Sequence, residues 1–278
     1  MQIKSYSKIN LSLRIVKKLS SGLHDIQSNV FLVDLFDIIN IKKINNSKDS
    51  VVFKGIFSKN IKKKDNSVIN TLKLLKELKI INRSHKVIVE KNIPVFSGLG
   101  GGTSNSAFLV KHFLKRTPGK KLISLFEKKI GSDFRLFLQN QSFQKNLKNV
   151  TKLKKKYKLN FVLVFPNIKC STKDIYLRVK KFRANNKIDF SRIKNEDKFF
   201  KLINEEKNDL QKIVETKHEK IKKIINFIKS QEGCYLSRMT GSGSVCFGLF
   251  KSKKVAKLAL NRIKIKYPRY WSKITKTI

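Results

Sequence analysis

The sequence predicts an α+β fold organised as two modest domains, and three observations carry that expectation. The chain has 278 residues, enough to bury a core in each of two domains. Hydrophobic residues make up 40% of it, with twenty Phe, and they recur at the two-residue period of strands and the 3.6-residue period of helices. A basic run at 152–158 is followed by Asn160-Phe161-Val162-Leu163-Val164-Phe165-Pro166, an apolar strand stopped by proline, which reads as the opening of a second domain. The expected division is 1–155 and 156–278.

Taken in order, Ile9-Asn10-Leu11-Ser12-Leu13-Arg14-Ile15 alternates apolar and polar residues, the pattern of a half-buried strand, with Lys8 at its mouth. A Gly-led loop at Gly22 then carries His24. Residues 30–41 read as one or two strands in which Asp34 and Asp37 are charged interruptions, expected at a turn or edge rather than in catalysis. A Lys/Asn-rich hairpin region follows. Asp65-Asn66-Ser67 caps a helix with the stripe Ile69, Leu72, Leu75 and Leu78. Lys86-Val87-Ile88-Val89-Glu90 is a strand, and beyond it Thr103 or Ser104 can cap a helix through Ala107, Phe108, Val110, Phe113 and Leu114. The next helix, through Leu122, Leu125, Phe126 and Ile130, ends at Gly131-Ser132-Asp133. From local sequence Asp133 reads equally as a helix cap and as a reactive carboxylate. In the second half, residues 180–201 are polar and poorly periodic, hence irregular, and Asn208-Asp209-Leu210 marks a helix start. Ile221, Ile224, Ile225 and Ile228 form a helical stripe that ends near Gly233, and Val255, Leu258, Ala259 and Ile263 form the last one before a closing strand at Trp271.

The functional signal lies between the strand at 86–90 and the helix that follows it. Pro94-Val95-Phe96-Ser97-Gly98-Leu99-Gly100-Gly101-Gly102-Thr103-Ser104 places four glycines within five positions. A turn needs one or two, and each further glycine costs about 1 kcal/mol of conformational freedom. A glycine loop that opens a helix presents free N–H groups and the positive end of the helix dipole, which suit a polyphosphate. No Lys-Ser or Lys-Thr follows the glycines, so this is not a Walker A loop, and the spacing is not that of a dinucleotide fingerprint.

Composition narrows the partners. Sixty-three Lys+Arg against 19 Asp+Glu give a net charge of +44, which by itself suggests a polyanion such as RNA. The basic residues are nearly all Lys, spread along the chain beside heavy Ile and Asn use, the mark of an A/T-biased genome. Recognition surfaces cluster their charge and favour Arg. The reading is therefore a small-molecule partner and no nucleic acid, with an RNA-binding protein as the rival class. Cys170, Cys234 and Cys246 are far apart and odd in number, so neither a disulfide framework nor a zinc site is indicated. With no apolar leader and no apolar span long enough for a membrane, a cytoplasmic protein is expected, as a monomer or homodimer.

The pattern Pro94-x3-Gly98-Leu99-Gly100-Gly101-Gly102-Thr103-Ser104-x-x-Ala107 resembles the second motif of the GHMP kinases, the superfamily of galactokinase, homoserine kinase and mevalonate kinase. Ser7-Lys8-Ile9-Asn10-Leu11-Ser12-Leu13 resembles its first motif, and Ser237-Arg238-Met239-Thr240-Gly241-Ser242-Gly243-Ser244-Val245-Cys246-Phe247 its third. The resemblance implies a ribosomal-protein-like α/β N-terminal domain that binds ATP, a ferredoxin-like α/β C-terminal domain, and an active site in the cleft between them. It also implies that Pro94, Val95, Phe96, Ser97, Gly98, Leu99, Gly100, Gly101, Gly102, Thr103 and Ser104 hold ATP, with Ser104 touching Mg2+.

Gly22-Leu23-His24-Asp25-Ile26-Gln27-Ser28 further resembles the segment Gly-(Tyr/Phe)-His-x-(Leu/Ile)-x-(Ser/Thr) of the branch that phosphorylates the 2-hydroxyl of 4-diphosphocytidyl-2-C-methyl-D-erythritol, in non-mevalonate isoprenoid synthesis. On that resemblance Asp133 is the general base and Lys8 its partner. The substrate contacts are Asn10, His24, Tyr176, Thr240, Gly241, Ser242 and Gly243. Three departures stand out: Leu23 replaces an aromatic residue, Phe134-Arg135 replaces Val-Pro, and Gln139-Asn140-Gln141-Ser142-Phe143-Gln144 replaces a glycine-rich segment. Another GHMP kinase is the alternative within the superfamily.

Overall fold

The structure is a computed structural model that describes residues 1–62 and 64–278. Its elements run β1 (Gln2–Lys18), β2 (His24–Ile44), β3 (Ser50–Lys54), α1 (Ser67–Glu77), β4 (Ser84–Glu90), α2 (Gly101–Leu114), α3 (Lys120–Lys129), β5 (Gln141–Gln144), β6 (Val150–Lys152), β7 (Asn160–Phe165), α4 (Thr172–Leu177), α5 (Glu196–Glu205), α6 (Gln211–Lys217), α7 (Glu219–Lys229), β8 (Cys234–Met239), β9 (Cys246–Phe250), α8 (Lys253–Lys266) and β10 (Trp271–Lys276). A 3₁₀ turn, Phe134–Leu138, follows α3. Among the described residues no helix is long and apolar enough to cross a membrane.

Contacts divide the chain into two compact units built from interleaved segments. The first comprises Met1–Lys8, Leu35–Val95 and Gly100–Gln139; the second comprises Ile9–Asp34, Phe96–Leu99 and Asn140–Ile278. This partition differs from a single boundary near 155 because β1 and β2 are long strands that each contribute residues to both units.

In the first unit the end of β2 pairs antiparallel with β4, Ile38 opposite Glu90 through Ile44 opposite Ser84, and β3 adds to β4 in parallel. The Asn66 side chain caps α1 by accepting from the Val68 and Ile69 amides, as the sequence predicts. The buried stripe is rotated from the expected one. Val68, Leu72 and Leu75 face inward, while Leu78 lies beyond the helix end and is exposed. Asp37 is neither at a turn nor at an edge; it is fully buried and ion-paired with Lys91.

In the second unit the start of β2 pairs antiparallel with β5, Ser28 opposite Gln144 through Phe31 opposite Gln141, and β5 pairs with β6. A separate antiparallel sheet has the order β10-β7-β9-β8. Its central β7 is buried from Phe161 to Phe165, and α7 and α8 bury Ile221, Ile224, Ile228, Ala256 and Ile263 in the adjoining core. The basic run at 152–158 contains a core residue, because Tyr157 is buried and stacks on Phe199 with ring centroids 4.1 Å apart. Gln141 holds the backbone there, its side chain donating to the Tyr157 carbonyl and accepting from the Tyr157 amide, both at 2.8 Å.

Candidate active site

Strand β1 delivers Lys8 into the first unit, where the side chain is buried and its ammonium lies 3.6 Å from the Asp133 carboxylate. Asp133 precedes the 3₁₀ turn Phe134–Leu138 but makes no capping hydrogen bond, so the cap alternative is not realised. Its side chain is 38% exposed, which leaves one face of the carboxylate open to a reactant while Lys8 lies behind it. Burial pushes the Lys8 pKa below 10.5, and the charge and hydrogen bond of Asp133 act against that shift.

Helix α2 begins at Gly101, with Gly100 as its N-cap at φ 71°, a left-handed angle open to glycine at little cost. Thr103 and Ser104 therefore lie inside the first turn instead of capping it. Among the described residues no group accepts a hydrogen bond from the amides of Gly101, Gly102 or Thr103; the first helical bond in this segment runs from the Ser104 amide to the Gly100 carbonyl at 2.9 Å. These open donors at a helix N-terminus are what a phosphate group needs.

The glycines have packing reasons as well. A β-carbon on Gly100 would lie 2.7 Å from Phe137 Cζ and 3.3 Å from Lys8 Cε, so Gly100 makes the room that lets Lys8 reach Asp133. Ser104 is turned inward. It is fully buried, its hydroxyl donates to the Tyr6 carbonyl at 2.6 Å, and Ser5 Oγ lies 2.7 Å from it. The Ser104 proton is thus committed to Tyr6, and the neighbouring Thr103 is half-buried at the same turn. Among the described residues no cluster of three or more His, Cys, Asp or Glu side chains is placed to hold a metal. The open amides at the head of α2 suit a phosphate group, and an ion carried on phosphate oxygens needs few protein ligands.

The first half of the glycine segment belongs to the second unit. Phe96 has a left-handed φ of 54°, is exposed, and its carbonyl accepts from the Cys170 amide at 3.3 Å. Ser97 and Leu99 are buried, and the Ser97 carbonyl accepts from the Val245 amide at 3.1 Å. Gly98 packs directly on the Thr240 carbonyl, leaving no space for a β-carbon. Within the second unit, Ser97 and Gly98 and the loop Thr240–Ser244 thus meet backbone to backbone. Asn208 braces that loop by donating to the Met239 and Gly241 carbonyls, both at 2.8 Å. Asn10 and Thr240, expected at the substrate, are buried and bonded to each other, the Asn10 amide donating to Thr240 Oγ1 at 2.9 Å. Ser242 Oγ lies 2.9 Å from Thr172 Oγ1, at the start of the helix that carries Tyr176.

His24 opens β2 instead of lying in a loop, and its ring sits 5.2 Å from the ring of Tyr176. Burial, and then the charge of Lys18, push its pKa below 6.5, so the ring is neutral at pH 7. Sequence reasoning missed Phe182. This exposed ring stacks on His24 at 6.1 Å and 29°. It offers an aromatic face beside a polar ring, which Leu23, itself exposed, does not supply. No periodicity marks Phe182, a single aromatic residue within a lysine- and arginine-rich run.

Comparisons with known proteins add to this geometry. A family model described as "GHMP kinases C terminal" matches residues 187–269. The chain is similar, at 36% identity over 290 residues and across 100% of its own length and 99% of the relative's, to 4-diphosphocytidyl-2-C-methyl-D-erythritol kinase of Pelagibacter ubique (strain HTCC1062). It is 28% identical to the enzyme of that name from Clostridioides difficile (strain 630), across 98% and 94% of the two chains. A crystal structure of 4-(cytidine 5'-diphospho)-2C-methyl-D-erythritol kinase superposes with a TM-score of 0.75 over 100% of both chains at 21% identity, a likeness of fold.

Proposed function

The chain belongs to the 4-diphosphocytidyl-2-C-methyl-D-erythritol kinases of the GHMP superfamily, and on that premise we propose how its residues divide the work of phosphoryl transfer. It is an ATP-dependent small-molecule kinase of isoprenoid precursor synthesis, and the acceptor is the 2-hydroxyl of the cytidyl-linked methylerythritol. Phosphoryl transfer asks for an in-line approach, stabilised charge on the phosphate oxygens, and removal of the hydroxyl proton. The amides of Gly101, Gly102 and Thr103 take the phosphate oxygens. Asp133 accepts the hydroxyl proton as the oxygen attacks the γ-phosphorus and the bond to the β-phosphate oxygen breaks, releasing ADP. Lys8 orients the acceptor oxygen and meets the negative charge that develops there. Mg2+, when bound, would supply positive charge to the phosphate oxygens, with the Ser104 hydroxyl the protein oxygen expected nearest to it.

His24, Tyr176 and Phe182 receive the cytosine: the rings give stacking area, and the neutral imidazole gives a donor and an acceptor. Gly241, Ser242 and Gly243 line the substrate, while Asn10 and Thr240 brace the loop. The proposal keeps 1–155 and 156–278 as its two domains, the matched segment 187–269 lying inside the second. It names no nucleic-acid partner and places the enzyme in the cytoplasm.

The single observation that carries the catalytic reading is the half-exposed Asp133 carboxylate 3.6 Å from a buried ammonium, with no cap to serve. A positioned general base contributes typically ~10²–10⁴-fold. Asp133→Asn is expected to lower kcat by that order while ATP affinity, read by titration calorimetry, stays near the parent value. Turnover at the parent level removes Asp133 from the chemistry.

A further inference from the structure

Asp37 lies in β2, 0% exposed, and every oxygen it has is used. Its Oδ1 accepts from the backbone amides of Asn92 at 2.8 Å and Ile93 at 2.9 Å, the residues that follow β4. Its Oδ2 is ion-paired with Lys91 and accepts from Asn105 Nδ2, in the second turn of α2, at 3.0 Å. Lys91 closes the triangle by donating to Asn105 Oδ1 at 3.2 Å, and its ammonium lies 3.3 Å from where a β-carbon on Gly101 would sit.

From Asn105 the bonding continues in one direction. Its Nδ2 donates to Ser5 Oγ at 3.0 Å, and Ser104 Oγ donates to the Tyr6 carbonyl, which leaves Ser5 as the donor to Ser104. The chain of bonds therefore joins β2, the end of β4 and the first turns of α2 to β1, three residues before Lys8. Burial lowers the Lys91 pKa, and the charge and hydrogen bond of Asp37 act against that shift.

We propose that Asp37 is a positioning residue for phosphoryl transfer: through Lys91, Asn105 and Ser5 it sets the open amides of α2 in register with the strand that carries Lys8. The proposal rests on the reading that those amides hold phosphate. A buried ion pair adds little net stability over apolar residues of similar volume, and its best-attested role is to fix one arrangement among several. Here the arrangement fixed is the distance between two halves of a catalytic site, in which a shift of about 1 Å can cost about 100-fold in rate.

The test separates positioning from folding. Asp37→Asn keeps an oxygen for the Asn92 and Ile93 amides but leaves Lys91 a lone buried cation, so its melting temperature falls. Asp37→Asn/Lys91→Met removes both charges and is expected to recover the melting temperature. Its kcat/KM for ATP stays about 10- to 100-fold below the parent, and its KM for the cytidyl substrate is unchanged. Asn105→Ala leaves the ion pair in place and cuts only its link to α2; it is expected to show the same ATP-specific loss. Normal ATP kinetics in either variant overturns the proposal and leaves Asp37 a purely structural residue. The parent and Asp133→Asn are assayed alongside. If the parent turns over ATP and Asp133→Asn does not, normal kinetics in the Asp37 series overturns this inference alone, whereas an Asp133→Asn enzyme as active as the parent overturns the site reading beneath it.

Discussion

Gly100→Ala tests whether the glycine segment exists for its ligand alone or also for Lys8. The native φ of 71° costs an alanine about 1–2 kcal/mol. The new methyl carbon would stand 2.7 Å from Phe137 Cζ and 3.3 Å from Lys8 Cε. Phe137 is fully buried, so its ring cannot swing into solvent, and overpacking of this kind costs about 1–3 kcal/mol. The sum, about 2–5 kcal/mol, is survivable for a domain of ordinary stability and lowers the melting temperature by roughly 5–15 °C. The kinetic effect is the sharper one. Phe137 sits in the 3₁₀ turn that Asp133 opens, so the same methyl presses on both members of the pair, and kcat is expected to fall about 100-fold. Gly102→Ala is the control for stability: its φ is not left-handed, its methyl meets Ser67 alone, Oγ at 3.3 Å and Cβ at 3.9 Å, and a helical Gly→Ala change gains about 0.5–1 kcal/mol. The assay is coupled ADP release with a melting curve on the same samples. A Gly100→Ala enzyme that is destabilised yet turns over within about twofold of the parent refutes the argument that this glycine clears the path of Lys8.

Three further outcomes follow from the proposed base site. Phe182→Ala is expected to raise KM for the cytidyl substrate about tenfold or more, since stacking contributes about 1–3 kcal/mol per base, with kcat little changed; an unaltered KM places the ring outside the site. For His24, whose folded pKa lies below the unfolded 6.5, KM for the same substrate is expected to stay flat from pH 8 through 6.5 and to rise only at more acid pH. The same shift has a stability sign. Between the lowered pKa and 6.5 the unfolded chain binds more protons than the folded one, so this group costs stability as pH falls through that window. A His24→Gln enzyme, melted over the same range, loses that component of the pH dependence.

What the sequence made legible was local. The α1 cap at Asn66, the buried run of β7 and the isoleucine face of α7 each follow from residues within a few positions of one another, and each stands where periodicity put it. Helix α5 escaped, although Asn195 caps it by accepting from the Lys198 amide. Only Phe199 and Ile203 of its residues are buried, too sparse a stripe to stand out among lysines. Of the candidate residues, the glycine segment, Lys8 and Asp133 stand out in the sequence because each lies in a contiguous motif, although the 3.6 Å pairing of the last two does not. Asp37 and Phe182 do not stand out, since what singles out each is a contact far along the chain: Lys91 for one, His24 for the other.

The glycine run has two physical grounds, of which local reasoning reaches only one. Read along the chain, the surplus glycines have no packing in return and point to a ligand. Read in space, Gly98 yields to the Thr240 carbonyl and Gly100 to Phe137 and Lys8, while the methyl missing from Gly101 leaves room for the Lys91 ammonium. The two accounts make different demands on substitution. If ligand approach alone required these glycines, alanine at 98 or 100 would weaken phosphate binding and cost the free protein only the ~1–2 kcal/mol of the left-handed angle. If close packing requires them too, as the distances at Gly98 and Gly100 indicate, the same changes add an overpacking cost of about 1–3 kcal/mol with no nucleotide present. Melting curves of Gly98→Ala and Gly100→Ala without nucleotide therefore separate the two demands: a loss above ~2 kcal/mol in both assigns the glycines to the packing as well as to the phosphate.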